Sequence, residues 1–123
     1  MRQDVTSHLP EEACGLVSGK DACSVSVFPV ENILHSPVRF RMEPYAQLQA
    51  FEEIEEQGLE LLAIYHSHPN GPPVPSPTDL TEFAYPGTIT LIFSPVNGAW
   101  ICRGFLLEGG NFREIPVYLI AGE

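Results

Sequence analysis

A short apolar run that ends in two histidines constrains the fold of this chain more than any other feature. The run "LELLAIY" (residues 59–65) predicts a buried strand, and it leads directly into His66-Ser67-His68. Because side chains alternate between the two faces of a strand, His66 and His68 point to one face and Ser67 to the other. Two imidazoles on one face can hold a metal ion, although such a pair alone is weak evidence for a site.

A loop with five prolines follows the histidines and leads into a predicted short helix. Ser76, Pro77 and Asp79 are typical of a helix start, with the serine at the N-cap, the proline at the first helical position and the acid in the first turn. Capping alone explains these three residues. The loop is also long enough to bring Asp79 back toward the imidazoles. Two histidines and a carboxylate leave one tetrahedral position open, as in catalytic zinc sites.

The charge and the cysteine content exclude several classes of function. The 123 residues include sixteen acidic and six basic ones, for a formal charge of -10, so we expect neither nucleic acid nor a membrane as a partner. Three cysteines without CxxC spacing predict no disulfide framework and favour a reducing, cytoplasmic location. No apolar run approaches the roughly 18 residues of a membrane span.

Strand-like and helical segments alternate along the rest of the chain without a regular βαβ pattern. The runs "ACGLVSG" and "ACSVSVF" predict a hairpin whose loop is residues 19–21. Residues 42–60 predict a helix with Pro44 in its first turn, Gly58 at its end and a solvated face of glutamates. Its predicted buried stripe consists of Tyr45, Leu48, Phe51 and Ile54.

Three further strands are predicted near the C-terminus. They are "TITLIFS", "AWICRGFLL" and "NFREIPVYLI", with Asn97-Gly98 as the turn between the first two. A chain of this length fits one domain with a single hydrophobic core. We therefore expect an α/β (α+β) fold: a single domain over residues 1–123 with a mixed central β-sheet flanked by helices.

The histidines and the residues after them resemble the signature of the JAMM or MPN+ metalloproteases. In that signature an upstream glutamate is followed by HxH, seven residues, serine, two residues and aspartate. Here His66-Ser67-His68 is followed by "PNGPPVP", Ser76, "PT" and Asp79, which matches every position. At ordinary residue frequencies, serine and aspartate at these two offsets arise by chance roughly once in a few hundred cases.

Two neighbouring glutamates in "LPEEACGLVSG", Glu11 and Glu12, could match the upstream glutamate of the signature. In the family pattern the base lies two residues before the cysteine, which selects Glu12 rather than Glu11. Asn32, the segment "RFRMEP" and Trp100 are weaker matches, and the resemblance covers roughly residues 10–108. The strand that often precedes the family's first helix is expected to be missing or displaced.

The resemblance implies an MPN/JAB fold of the cytidine-deaminase-like architecture with a Zn²⁺ site. It implies His66, His68 and Asp79 as metal ligands, Glu12 as the general base and Ser76 as the hydrogen-bond donor to the oxyanion. The implied reaction is hydrolysis of a peptide or isopeptide bond after the diglycine tail of a ubiquitin-like or sulfur-carrier protein, as in compact prokaryotic members. A homodimer is compatible with this resemblance.

Two other functions stay open at the level of the sequence. One is a non-catalytic MPN scaffold that only binds partner proteins, although such relatives typically lose metal ligands. The other is a metallopeptidase that acts on small peptides. Catalysis by the thiol of Cys14 is disfavoured, because a free cysteine in a strand-like segment is usually a small buried hydrophobe.

Overall fold

Six strands form one mixed sheet in the computed structural model, which describes residues 1–82 and 87–118. The elements in chain order are α1 (Arg2–Ser7), β1 (Cys14–Lys20), β2 (Cys23–Val30), α2 (Pro44–Glu56), β3 (Glu60–Ser67), α3 (Pro77–Glu82), β4 (Ile89–Val96), β5 (Ala99–Glu108) and β6 (Asn111–Ile115). The strand order is β2-β1-β3-β4-β5-β6, and only β3 and β4 are parallel neighbours. The predicted mixed sheet with flanking helices is confirmed. No helix in the described part of the chain is long and apolar enough to cross a membrane.

Helices cover both faces of the sheet around β3, which explains why the β3 sequence is apolar almost throughout. On one face, Val5 of α1 packs with side chains that include Val17 and Tyr65. On the other face, Ala50 of α2 packs with Cys14 and Leu16 of β1. Since β1 and β3 pair with Cys14 opposite His66, the histidines lie on the α2 side of the sheet.

The predicted hairpin between β1 and β2 is present, but the predicted position of its loop is wrong. Gly19 and Lys20 belong to β1, and the turn consists of Asp21 and Ala22 with φ angles of 53° and 65°. A two-residue loop with positive φ at both positions matches the twist of the flanking strands. The predicted Asn97-Gly98 turn, with φ angles of 53° and 83°, is of the same kind and is confirmed.

The predicted buried stripe of α2 is only half right. Tyr45 and Leu48 are 78% and 53% exposed, whereas Ala50 and Ile54 are buried. Small alanines allow the helix to approach the sheet closely, and this turns the two larger side chains toward solvent. The predicted start at Pro44, the stop before Gly58 and the exposed glutamates are confirmed. The last predicted strand is shorter than expected, because β6 ends at Ile115 and residues 119 and 120 lie outside the described residues.

The side chain of Tyr65 joins α1 to the sheet. Its ring is fully buried, and its hydroxyl donates a hydrogen bond of 2.6 Å to Asp4 Oδ2 in α1. Gly15 lies directly opposite Tyr65 in the pairing of β1 with β3. A Cβ atom at Gly15 would lie 2.5 Å from the Tyr65 ring and hydroxyl. The ring therefore fits only because residue 15 has no side chain.

We expect Gly15→Ala to destabilise the protein by about 1–3 kcal/mol, because the added methyl overpacks the Tyr65 ring. Tyr65→Leu should also destabilise, since it removes the ring and the hydrogen bond to Asp4. The double variant should lose less stability than the sum of the two single variants, because the methyl no longer meets a ring. Urea unfolding of the four proteins measures this coupling, and strict additivity would contradict the packing described.

Candidate active site

Three side chains converge at the end of β3. His66 lies in the strand and His68 just after it, and their Nε2 atoms are 3.0 Å apart. Asp79 Oδ2, from α3, lies 3.2 Å from His66 Nε2 and 3.0 Å from His68 Nε2. All three side chains are buried, with 2%, 7% and 8% exposure. The structure therefore brings together the three residues that the sequence analysis selected as metal ligands.

Glu12 lies beside this cluster, two residues before β1. Its side chain is buried, and its Oε1 has no hydrogen-bond partner among the described residues. A ligand atom from each of Glu12, His66 and His68 lies within 4.8 Å of the other two. Burial raises the pKa of the Glu12 carboxyl to about 8, and the negative charge of Asp79 adds to this effect while His68 opposes it. A buried acid with an unsatisfied oxygen is suited to a site that binds positive charge or moves protons.

Glu11, the competing glutamate, faces away from the cluster. Its side chain is 36% exposed, and Oε1 lies 2.9 Å from Nδ1 of the exposed His35. The other nitrogen of His35 lies 3.2 Å from Glu31 Oε2, so His35 bridges two surface carboxylates. The choice of Glu12 over Glu11 therefore agrees with the burial of the two side chains.

The contacts behind each histidine influence which nitrogen is free to bind a ligand. His68 Nδ1 lies 2.9 Å from the Pro72 carbonyl, an acceptor, so the Nδ1–H donates and the Nε2 lone pair faces the cluster. The His66 ring stacks on Phe40, with ring centroids 4.6 Å apart. Burial lowers the pKa of His66, which favours the neutral imidazole that binds metals.

The three converging atoms fit a bound cation. His68 Nδ1–H donates to Pro72, and His68 Nε2 faces a carboxylate oxygen and a second imidazole nitrogen. Burial alone would lower the pKa of His68, but hydrogen bonds with Asp79 and the Pro72 carbonyl outweigh it and raise that pKa. Acceptors about 3 Å apart repel one another unless positive charge, from a proton or a metal ion, lies between them. Burial alone would raise the pKa of Asp79, but hydrogen bonds with His66 and His68 outweigh it and hold that pKa well below its usual range. The cluster is therefore a buried site that can hold a metal ion.

Ser76 and Asp79 form a reciprocal cap at the start of α3. Ser76 Oγ accepts a hydrogen bond of 3.1 Å from the Asp79 N–H, and Asp79 Oδ2 accepts one of 2.9 Å from the Ser76 N–H. The predicted capping role of Ser76 is confirmed. The same oxygen of Asp79 contacts both histidines, so one carboxylate serves the helix start and the cluster.

Asn32 is a buried structural residue beside the site, and in the sequence it was only a weak family match. Its buried amide donates to the carbonyls of Glu12 and Arg39, each at 3.0 Å. Its Oδ1 accepts from the N–H groups of Leu34 and Arg41 at 3.1 and 3.0 Å. The side chain thus ties the loop between β2 and α2 to the backbone of the buried glutamate. An asparagine in an irregular segment gives no sequence signal for such burial, apart from the weak family match.

A model described as prokaryotic homologs of the JAB domain matches residues 1–105. The chain belongs to this family. A desampylase of Pyrococcus furiosus is 43% identical to this JAB-family chain over 115 residues, which cover 92% of the chain and 79% of the relative. A probable TtuB-protein conjugate cleaving protease of Thermus thermophilus is 41% identical over 114 residues, with 89% and 73% coverage.

The fold of the JAB-family chain also matches an experimental structure. The solution structure of a Desulfitobacterium hafniense protein has a TM-score of 0.85 and 31% sequence identity, and the match covers 96% of this chain and 84% of that one. The predicted family and fold class are confirmed by these matches. The prediction of one domain over residues 1–123 stays a prediction.

Cys14 of this JAB domain is poorly suited to nucleophilic chemistry. Its side chain is fully buried, and its thiol donates to the Val30 carbonyl at 3.4 Å. Burial raises the pKa of the thiol to about 12, and the charges of Asp4 and Glu12 add to this effect. A thiol with such a pKa carries almost no thiolate at neutral pH, which agrees with the prediction that Cys14 is a buried apolar residue.

We expect Asn32→Ala to destabilise the protein by about 2–3 kcal/mol, because it leaves two carbonyls and two N–H groups of the loop without their partner. The matched control is Asn111→Ala at an exposed position in β6, which should change the free energy of unfolding by less than about 0.5 kcal/mol. Denaturant unfolding measures both variants. Equal stability of the two would contradict the role of Asn32 in holding the loop.

Proposed function

We propose that this JAB-family chain is a zinc-dependent peptidase or isopeptidase. Its reaction is hydrolysis of the amide bond after the C-terminal diglycine tail of a ubiquitin-like or sulfur-carrier protein. One observation carries the proposal: two imidazole nitrogens and a carboxylate oxygen lie within 3.2 Å of one another beside the buried acid Glu12. This arrangement offers an open metal site with a proton acceptor next to it.

His66, His68 and Asp79 would hold the metal ion. Asp79 is the better third ligand, because its Oδ2 already lies at 3.0–3.2 Å from both nitrogens. When bound there, Zn²⁺ supplies a Lewis acid that polarises a carbonyl and lowers the pKa of a water molecule. The Pro72 carbonyl keeps His68 in the tautomer that binds through Nε2.

Glu12 would act as general base and then as general acid. It would take a proton from the attacking water and later give that proton to the leaving amine. Its pKa of about 8, raised by burial, falls when positive charge is placed next to it, because the charge favours the carboxylate. Burial and a nearby cation therefore act in opposite directions on the pKa of Glu12, and a group that both accepts and returns a proton works best with a pKa near the operating pH.

Ser76 would donate a hydrogen bond to the oxyanion that forms on the scissile carbonyl. Its hydroxyl oxygen accepts from the Asp79 N–H, which leaves the hydroxyl hydrogen available for donation. The cap also fixes the oxygen relative to Asp79, so the donor is oriented before the substrate arrives. Loss of one such donor costs about 10²- to 10³-fold in rate in other enzymes.

The names of the relatives support the substrate class. The Pyrococcus furiosus relative is a desampylase, and the Thermus thermophilus relative is named for cleaving TtuB-protein conjugates. A CysO-cysteine peptidase of Mycobacterium tuberculosis, 32% identical over 114 residues, is a further member of this group. We extend to this chain the cleavage of a small carrier protein from a group joined to its C-terminus. We also propose a cytoplasmic location, which its three free cysteines fit.

We expect purified protein to contain one zinc ion per chain by elemental analysis. Zinc at about 100 times its Kd should stabilise the metal-free protein by about 2.7 kcal/mol. Asp79→Asn should abolish most of this stabilisation, because the amide is a weak metal ligand. Glu11→Gln, which changes an exposed carboxylate nearby, is the matched control and should behave like the wild type. Equal zinc stabilisation of Asp79→Asn and Glu11→Gln would refute the ligand assignment.

We expect Glu12→Gln to keep its fold and its zinc and to lose about 10²- to 10⁴-fold in turnover, because the amide cannot accept a proton. Glu11→Gln should retain full activity. The measurement is mass spectrometry of ubiquitin-like proteins that carry defined C-terminal extensions, incubated with each variant. Cleavage of short peptides but of no protein would favour a small-peptide peptidase, and binding without any cleavage would favour a scaffold.

A further inference from the structure

A groove of about 410 Å³ runs beside the cluster of His66, His68 and Asp79. Its lining includes the apolar residues Ile64 of β3 and Leu107 of β5. The consecutive residues 39–42 form part of its lining, and Phe40 within them stacks on the His66 ring. The groove therefore reaches from the candidate ligands to the loop that Asn32 organises.

Basic residues line the groove, although the chain as a whole is acidic. Two of the six basic residues, Arg39 and Arg41, line it, although the formal net charge of the chain is -10. Arg39 is paired with Glu82 at the end of α3, with Nε–Oε1 and Nη2–Oε2 distances of 3.1 and 2.6 Å. Among the described residues, Arg41 forms no ion pair. The lining also contains the carboxylates of Glu82 and Asp79. Arg39 pairs with Glu82 and Asp79 contacts the histidines, so among the described residues the Arg41 guanidinium has no carboxylate partner.

The pairing of Arg39 with Glu82 distinguishes the two arginines. The hydrogen bonds from Arg39 lower the pKa of Glu82, and the charges of both arginines add to the effect. Glu82 is thus ionised and already has a bidentate partner in Arg39. Arg41 influences it only through its charge, so its guanidinium retains its donors for another ligand.

The backbone on either side of Phe40 is held in place by one buried side chain. Asn32 donates to the Arg39 carbonyl and accepts from the Arg41 N–H, each at 3.0 Å. An arginine on a backbone fixed in this way loses less conformational entropy when it binds a ligand than one on a free loop. The groove is therefore preorganised to present Arg41.

We propose that Arg41 makes this groove selective for a carboxylate of the substrate close to the scissile bond. This inference rests on the proposed function, because a peptide substrate supplies carboxylates rather than phosphates. The carboxylate can come from two sources: the α-carboxylate of a single amino acid released as the leaving group, or an acidic side chain in the tail before the diglycine. Both would accept hydrogen bonds from the guanidinium of Arg41.

The test measures binding of fluorescein-labelled peptides ending in Gly-Gly-Ala to the zinc-loaded Glu12→Gln protein by fluorescence anisotropy. One pair of probes differs only in a C-terminal carboxylate or amide, and a second pair differs only in a glutamate or glutamine before the diglycine. We expect the carboxylate member of at least one pair to bind about tenfold more tightly, allowing for solvent screening of an exposed guanidinium. Selectivity in the first pair identifies the leaving group, and selectivity in the second identifies the tail.

Two further variants are made in the same Glu12→Gln background. Arg41→Gln should reduce the selectivity to about onefold, whereas Arg113→Gln, at an exposed arginine in β6, should leave it unchanged. The inference is overturned if neither probe pair is discriminated, if no probe binds, or if Arg41→Gln retains the selectivity.

Cleavage of the same probes by the wild-type protein tests the proposed function separately. Selective binding without cleavage would refute the proposed hydrolysis and keep the carboxylate site. Cleavage without any selectivity would support the hydrolysis and refute the role of Arg41.

Discussion

The candidate site depends on three polar atoms that can lie this close only with a proton or a metal ion between them. His66 Nε2, His68 Nε2 and Asp79 Oδ2 lie within 3.2 Å of one another in a buried position. Electrostatic repulsion between lone pairs in such surroundings is strong, so the surrounding structure must hold them in place. The cap at α3 and the Pro72 carbonyl each fix one of these side chains, and the prolines of the loop limit its conformational freedom.

Ser67, the residue between the two histidines, sets the position of Glu12 relative to them. Ser67 faces the opposite side of β3, where its Oγ accepts from the Ala13 N–H at 2.8 Å and its N–H donates to the Ala13 carbonyl at 3.0 Å. These bonds fix the register of β1 against β3, although the two residues are 54 positions apart in sequence. A shift of one residue would turn Glu12 away from the cluster, because alternate residues of a strand face opposite sides.

The sequence predicted the parts of this site that follow from strand periodicity and helix capping. The shared face of His66 and His68, and the cap at Ser76, need only local geometry. The spacing of the loop allowed Asp79 to approach the histidines. Its role as a ligand and the choice of Glu12 as the base were expected only through the family resemblance, because no local rule places residues from distant segments together. The face of α2 was mispredicted because periodicity ranks large apolar residues above alanine, whereas close packing on the sheet favours alanine. The four hydrogen bonds of Asn32 depend on a loop path that no pattern encodes.

The short length of α3 has a consequence for how the site assembles. A helix of six residues is too short to be stable by itself, and its first turn is capped by the carboxylate that also contacts the histidines. Folding of α3 and neutralisation of the cluster are therefore linked equilibria. Glu82, at the end of the same helix, pairs with Arg39 beside the groove. Loss of positive charge from the cluster should therefore also destabilise α3 and its pair with Arg39. The binding of an ion and the conformation of the groove are thus expected to depend on each other.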